Sequence, residues 1–244
     1  MLAAATLAAG RVLAQSDDST WRDVESRIEY GYYTEDVTTL RNLAETLAAG
    51  KLRGKLRDYY AGLLEWRLAL LATQGAAPGL EAAALARRCV DALDAALDAH
   101  GESADALALR SVCLLTPLAT ASAYAPLASH RARHDLEKAL RLGARNPRVI
   151  LVDAMRDYEL PPSAGGDKER ALPKLRRAVT AFESERGSVE PLPGWGAADA
   201  WLLLAQDLLD HGDPVAARDA LERALLIAPQ FAQARRLMAK ITSG

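Results

Sequence analysis

Two histidines stand at a spacing that suits a metal site. His130 and His134 are four residues apart in a segment with helical periodicity, so both imidazoles could reach one metal ion. Arg131 and Arg133 lie between them, where they would repel a cation, and the glutamate of a zinc-protease helix is missing. We therefore interpret the pair as part of a solvated helix face and predict no metal, no cofactor and no enzymatic activity. A metal-dependent or hydrolytic enzyme in a helical fold is the alternative, and it would depend on this pair.

Other chemical motifs are weaker. The segment SAGGDK, at 163–168, places glycines before a predicted helix, but no predicted strand precedes it and the spacing of a phosphate loop is absent. The segment 129–148 is locally basic, yet Asp135 and Glu137 interrupt it, which favours a soluble face over a site for an acidic partner. Lys plus Arg number 30 and Asp plus Glu 32, so nucleic acid is not expected as a partner. No apolar run reaches the roughly 18–20 residues of a membrane span.

The two cysteines, Cys89 and Cys113, fall in consecutive predicted helices that should pack together. A disulfide between them is therefore geometrically possible. Buried free cysteines are common, however, and two cysteines are too few for a disulfide framework. The sequence favours two free, buried thiols.

The stretch from Leu2 to Leu13 is almost wholly small and apolar, and Val12-Leu13-Ala14 suits cleavage by a signal peptidase after Ala14. Two features disagree with this interpretation: no basic residue precedes the apolar stretch, and Arg11 lies inside it. We predict a signal peptide over 1–15 and export to the periplasm or the outside of a bacterial cell. The alternatives are a disordered or frayed helical tail and a cytoplasmic protein.

Helical periodicity runs through the rest of the chain. Half of the residues are hydrophobic, only 5% are aromatic, and apolar positions recur at helical spacing from Trp21 to Ile241 without two-residue alternation. The fold is therefore predicted to be all-α, with Ser19 and Thr34 as caps of the first two helices. The predicted helices cover about 19–30, 34–49, 54–72, 80–99, 104–115, 127–142, 148–160, 168–185, 197–210, 214–228 and 231–241.

Residues 198–229 form the clearest unit. Two short amphipathic segments are joined by His-Gly-Asp-Pro, in which Asp213 can cap the second helix and Pro214 suits its first turn. Apolar and small residues recur on one face of each segment, and a proline follows the second. These residues are Trp201, Leu204, Ala205, Leu208, Ala217, Leu221, Ala224 and Pro229.

This unit resembles a tetratricopeptide repeat, whose pattern is W-x2-L-G-x2-Y, then A-x3-F, then P. Ala205 stands in the place of the small glycine, Leu208 in that of the tyrosine and Leu221 in that of the phenylalanine. Each change keeps the size class that helix packing needs at the position. The second-helix spacing recurs in weaker form at 89–96, 132–139 and 171–178.

The resemblance implies a right-handed solenoid of about four antiparallel helical hairpins over 54–231. Residues 17–50 would form an N-terminal helical cap, and 231–244 a C-terminal capping helix and tail. Two features depart from the pattern. The repeat register is uncertain by one residue over 148–160, and Pro173 inside its helix predicts a kink or a late start.

A second resemblance concerns PGWGAADAWLLLAQ, at 193–206, which is similar to the start of a repeat in bacterial exported tetratricopeptide proteins of unassigned role. This adds support to export. Trp195 precedes the helix, and we interpret it as a hydrophobic staple rather than a ligand contact.

The family resemblance implies a protein–protein interaction scaffold or adaptor that binds a peptide or a partner helix on its concave surface. An accessory subunit of a periplasmic uptake or envelope-assembly machine is the alternative. The repeats that start near Ala104 and Arg148 carry insertions between their two helices. The concave surface is alternatively filled by these inserted loops and the N-terminal helices, which would leave a purely structural solenoid. In this family the first helix of each hairpin lines the concave surface. The first helices at 104–115 and 197–210 therefore give the predicted groove residues, which are Asp105, Ala108, Val112, Leu115, Asp199, Leu202, Gln206, Leu209 and Asp210.

Overall fold

The computed structural model describes residues 3–116, 125–185 and 192–243. Side chains are described from residue 18 onward in the first range, from residue 127 onward in the second and throughout the third. These ranges contain eleven α-helices, one short 3-10 helix and no strand, so the predicted all-α class is confirmed. The helices are α1 (Ala3–Tyr33), α2 (Val37–Ala48), α3 (Arg57–Thr73), α4 (Ala82–His100), α5 (Ala104–Leu115), α6 (Ala125–Leu142), α7 (Pro147–Glu159), α8 (Lys168–Glu185), α9 (Ala197–Asp210), α10 (Pro214–Ile227) and α11 (Ala232–Thr242).

Four helical hairpins form the body of the molecule. α3 packs on α4, α5 on α6, α7 on α8, and α9 on α10. The first helices of successive hairpins also touch one another, from α3 through α5 and α7 to α9, whereas the described second helices make no comparable contacts among themselves. The first helices therefore form the inner, concave layer of a helical-repeat solenoid, as predicted.

Local capping signals set several helix ends. Asp213 accepts a hydrogen bond from the backbone N–H of Ala216 at 3.0 Å, and Pro214 is the first residue of α10. Asn146 and Pro147 repeat this arrangement at the start of α7. Because such caps act within one turn of helix, sequence alone predicts them well.

The predicted caps at the N-terminus were wrong. Ser19 lies inside α1, which continues to Tyr33. The hydroxyl of Thr34 donates to the carbonyl of Tyr30, and Asp36 caps α2 by accepting from the N–H of Thr39 at 3.0 Å.

Close packing between paired helices requires small residues. Gly62 on α3 faces Leu93 on α4 so closely that an added Cβ would lie 2.7 Å from the Leu93 Cγ. In the last hairpin Ala205, Ala217 and Ala224 are fully buried. Among the other repeat-pattern positions Leu204, Leu208 and Leu221 are buried, Trp201 is partly buried and Pro229 is exposed.

Cys89 on α4 and Cys113 on α5 form a disulfide, with their Cα atoms 6.2 Å apart. The expectation of two free thiols was wrong. The sequence places the two cysteines in neighbouring helices, but only the packing of α4 against α5 brings the two side chains face to face.

Pro173 lies inside α8, which begins at Lys168 as the periodicity predicts. The late start that was one of the two expectations for this helix is therefore wrong. The helix continues through the proline to Glu185.

Candidate binding groove on the concave face

Two adjoining cavities open between the inner helices. The first has a volume of about 190 Å³ and the second of about 80 Å³. Their walls share Trp66, Leu70, Met155 and Glu159, so we treat them as one surface and call it the inner groove. Its other apolar walls include Val112, Leu115 and Leu202.

Each inner helix contributes to the inner groove. Leu70 comes from α3, Val112 and Leu115 from α5, Met155 from α7 and Leu202 from α9. Each of the two cavities is smaller than the roughly 300–1,000 Å³ of sites that enclose a small molecule. The groove therefore has the size of a receptor for one or two side chains of another chain.

Glu159 is the last residue of α7 and borders both cavities. Among the described residues its carboxylate has no hydrogen-bond or ion-pair partner. The Glu159 side chain is itself exposed, but the protein around it displaces part of its water and raises its pKa to about 7, without a contribution from a neighbouring charge. An exposed carboxylate thus lies at the edge of a mostly apolar groove.

Arg156, one turn before Glu159, also borders the first cavity. Its guanidinium lies beside Gly165, where an added Cβ would be 3.6 Å from the Arg156 Nη2. It forms no ion pair with Glu159 among the described contacts, although both residues are on the same helix.

The second half of α1 closes the other end of the concave face. Arg67 of α3 is fully buried, and its guanidinium binds Glu29 of α1 at 2.9 and 2.7 Å and Asp199 of α9 at 2.7 and 2.9 Å. Tyr33 donates a hydrogen bond to Asp199 at 3.0 Å. The Tyr32 ring lies 4.1 Å from the Arg67 Cζ, close enough for a cation–π contact. We call Glu29, Arg67 and Asp199 the Arg67 cluster.

Charges in the Arg67 cluster influence one another strongly. Burial lowers the pKa of Arg67, but the attraction of Asp199 and Glu29 outweighs it and raises the pKa overall. Burial raises the pKa of Glu29, and although Arg67 opposes this increase, the negative charge of Asp199 adds to it. With both carboxylates ionised, one guanidinium faces two negative charges.

A second set of contacts joins α1 and α3 to the segment before α9. Glu25 accepts hydrogen bonds from the Tyr60 hydroxyl at 2.6 Å and from the Gly194 N–H at 2.8 Å. Trp195 donates from Nε1 to the Tyr59 hydroxyl at 2.7 Å. The first and last hairpins are therefore linked directly.

Trp195 is only 2% exposed, and its ring centroid lies 5.3 Å from that of Trp66. The staple interpretation placed this residue in a local contact with its own helix. Its described partners instead lie on α3, far away in sequence, and Trp195 offers little surface to a ligand.

The predicted groove residues fall into two groups in the structure. Five of them line the inner groove, and the other four lie elsewhere. Val112, Leu115, Asp199, Leu202 and Gln206 line the groove. Ala108 is fully buried, Asp105 accepts a hydrogen bond from Asn146, Leu209 is partly buried against the core, and Asp210 is exposed and bonded to Tyr158 and Lys168.

Tyr32 and Asp199 form part of the second cavity's wall, so α1 covers one end of the predicted concave surface. The N-terminal helix therefore forms a wall at that end of the surface. The first cavity has no α1 residue among its described walls.

Sequence reasoning missed the role of α7 in the groove. Leu151, Met155 and Glu159 are spaced by four residues and share one face of this helix. The one-residue uncertainty in the register over 148–160 concealed that face. Trp66 and Leu70 belong to the apolar stripe of α3, but nothing local indicated that the stripe borders a cavity.

His130 and His134 are both exposed on α6. In the part of the chain with described side chains, no group of three or more His, Cys, Asp or Glu residues is placed to hold a metal ion. Nor is any helix there long and apolar enough to cross a membrane.

Comparison with protein families gives a match in the C-terminal part of the chain. The model of the tetratricopeptide repeat matches residues 198–241, which cover all of α10 and nearly all of α9 and α11. No curated protein matches the chain.

Proposed function

We propose that this helical-repeat protein, which carries a tetratricopeptide repeat at residues 198–241, is a scaffold that holds a segment of a partner protein in its inner groove. Tetratricopeptide repeats generally mediate protein–protein interaction. The observation that carries the proposal is the inner groove itself, where four inner helices present apolar side chains around open space. Stacked hairpins leave such a face available because each hairpin packs only on its neighbours.

The form of the groove favours a short segment over a long helix. α1 and the Arg67 cluster close one end of the concave face, so a helix running along the whole solenoid would meet Tyr32 and Asp199. The remaining cavities of about 190 and 80 Å³ admit single side chains. A peptide strand or the end of a partner helix fits these dimensions.

A groove variant and a matched surface variant test this function. Leu115→Arg fills the first cavity with a long charged side chain, whereas Leu226→Arg changes a side chain that is 75% exposed on α10. Partner capture from native cells should be retained by the wild type and Leu226→Arg and lost by Leu115→Arg, with all three proteins equally helical and equally stable to heat. Equal capture by both variants would show that the partner binds elsewhere.

We further propose that the chain is exported. The Cys89–Cys113 bridge supports this, because disulfides persist mainly in oxidising compartments. Cleavage after Ala14 would also retain α1 residues that contact the rest of the protein, among them Trp21, Glu25, Glu29, Tyr32 and Tyr33.

A further inference from the structure

Asp207 on α9 carries a carboxylate that the interior leaves without hydrogen bonds. Its side chain is fully buried, and neither carboxylate oxygen accepts a hydrogen bond in the described part of the chain. Burial raises the pKa of Asp207, because the ionised form loses water without gaining a donor. A positive charge beside Asp207 would offset this cost, and the imidazole of His211 is within reach.

His211 follows the last residue of α9, and both of its ring nitrogens face oxygen atoms. Nδ1 lies 2.8 Å from the Asp207 carbonyl oxygen and 3.5 Å from Asp207 Oδ1, and Nε2 lies 3.3 Å from Oε1 of Glu169 on α8. A carbonyl oxygen only accepts, so Nδ1 carries a proton whether or not the ring is charged. The neutral ring would then turn the lone pair of Nε2 towards a carboxylate, whereas the imidazolium turns an N–H towards it. The geometry therefore favours the protonated ring.

The same contacts act on the titration of His211. The bond to the Asp207 carbonyl raises its pKa most, and the charges of Asp207 and Glu169 add to this, which together outweigh the effect of partial desolvation. The end of α9 also favours a positive charge, because the last carbonyl groups of a helix point there. The His211 side chain is 25% exposed, so protons from the solvent reach the ring.

The other charged group of α8 near Asp207 is already engaged. Lys168 binds Asp210 at 2.5 Å, and Tyr158 of α7 donates to the same carboxylate at 3.0 Å. The buried residues of α10 carry no titratable group: they are Ala217, Ala220, Leu221 and Ala224. A proton on His211 is therefore the charge that is left to balance Asp207.

We propose that the protonated His211 ring is a pH-sensitive clamp that holds the last hairpin against the third. Its Nε2–H bonds Glu169 near the start of α8, and its charge allows Asp207 to stay ionised in the interior. Loss of the proton removes the bond to Glu169 and leaves the Asp207 charge unbalanced, so the contact between α8 and α9 weakens. The clamp acts at this joint, and it does not depend on whether the inner groove binds a partner.

Proton NMR of the whole protein tests the charge on the ring. The four histidines are titrated from about pH 5 to about pH 9, and the signal that is lost in His211→Gln identifies His211. Because folding raises the pKa of His211 above 6.5, the clamp contributes fully below pH 6.5 and is lost as the pH rises through the raised value. Glu169→Gln should lower that value without disturbing the fold, since the Glu169 side chain is 87% exposed.

Hydrogen exchange measured by mass spectrometry then reports on the joint. Wild type, His211→Gln and the matched control His130→Gln, which changes an exposed histidine of α6, are compared at about pH 5.5 and about pH 8.5. At the lower pH, peptides from the start of α8 and the end of α9 should exchange about two- to fivefold faster in His211→Gln than in the other two proteins, the range for a cation at a helix C-terminus. At the higher pH all three proteins should exchange alike.

Three results would overturn the clamp. They are a His211 ring that titrates at or below 6.5, a titration of His211 that Glu169→Gln leaves unchanged, and equal exchange of wild type and His211→Gln at the lower pH. None of them bears on the scaffold function, which partner capture tests separately.

Discussion

Arg67 and Asp199 are 132 residues apart in sequence and form a two-bond ion pair inside the protein. The pair joins α3 of the first hairpin to α9 of the last hairpin. In an extended solenoid the terminal repeats contact only their neighbours. Here the first and last hairpins meet, with α1 between them, so the folding of the array depends on contacts between its two ends.

Replacing Arg67 with methionine should therefore destabilise the whole protein. The change leaves Glu29 and Asp199 buried without a cation, and breaking a buried pair in this way typically costs about 3–5 kcal/mol. Asp199→Asn should cost less, because Arg67 keeps Glu29 as its partner. Urea denaturation followed by circular dichroism measures both changes.

Arg218→Met is the matched control, since Arg218 forms an exposed pair with Glu222 on α10. Exposed pairs of this kind contribute about 0–1 kcal/mol. If Arg67→Met and Arg218→Met unfold at the same urea concentration, the Arg67 cluster does not stabilise the fold.

The contribution of Glu159 to stability should depend on pH. The pKa of Glu159 is raised from 4.5 to about 7 in the folded protein, so folding favours the protonated form. Its contribution to the free energy of unfolding is therefore greatest below pH 4.5 and is lost as the pH rises through 7. Glu159→Gln removes this dependence, because glutamine does not titrate.

Thermal melting of the wild type and Glu159→Gln at pH 4.5 and pH 8 checks this sign. The two proteins should melt at similar temperatures at the lower pH, and the variant should melt higher at pH 8, by about 2–4 °C for each kcal/mol gained. Both proteins keep the other charged residues near the groove, which are Glu29, Arg67, Arg156 and Asp199. The difference between their melting temperatures therefore comes from Glu159. A variant that melts lower at pH 8 would mean that Glu159 is stabilised by a partner.

The parts of the fold that sequence predicted depend on short-range signals. The bounds of α5, α8 and α9 agree with the predicted 104–115, 168–185 and 197–210, because caps and periodicity act within a few residues. The end of α1 was missed because Tyr32 and Tyr33 pack against Phe231, which lies at the other end of the chain.

The candidate site was predicted in part for the same reason. Repeat alignment placed Val112, Leu115 and Leu202 on the inner face, because hairpins of similar sequence orient their helices similarly. Repeat alignment could not show that α1 crosses this face. That position depends on the bonds of Arg67 to Glu29 of α1 and to Asp199 of α9, which are distant from it in sequence. The depth of the groove depends on these distant contacts.

The disulfide should stabilise the fold measurably. The cysteines are 24 residues apart, and closing a loop of that size contributes about 2–4 kcal/mol, mainly by restricting the unfolded chain. The Cys89→Ala, Cys113→Ala double variant should therefore unfold at lower urea concentration than the oxidised wild type. Dithiothreitol should lower the wild-type midpoint towards that of the variant and leave the variant unchanged. An equal effect of the reductant on both proteins would mean that it acts elsewhere.

Export makes a prediction about the protein as it exists in the cell. If a signal peptidase cleaves after Ala14, the mature chain begins at Gln15. Alkylation of a rapidly quenched periplasmic extract, followed by intact-mass measurement, should show that N-terminus and two unmodified cysteines, because Cys89 and Cys113 are bridged. Alkylation after reduction should add two labels, which controls for access to the thiols. A chain that begins at Met1, remains in the cytoplasm and is alkylated at both cysteines without reduction would contradict the export proposal, since the disulfide would not form where the protein resides.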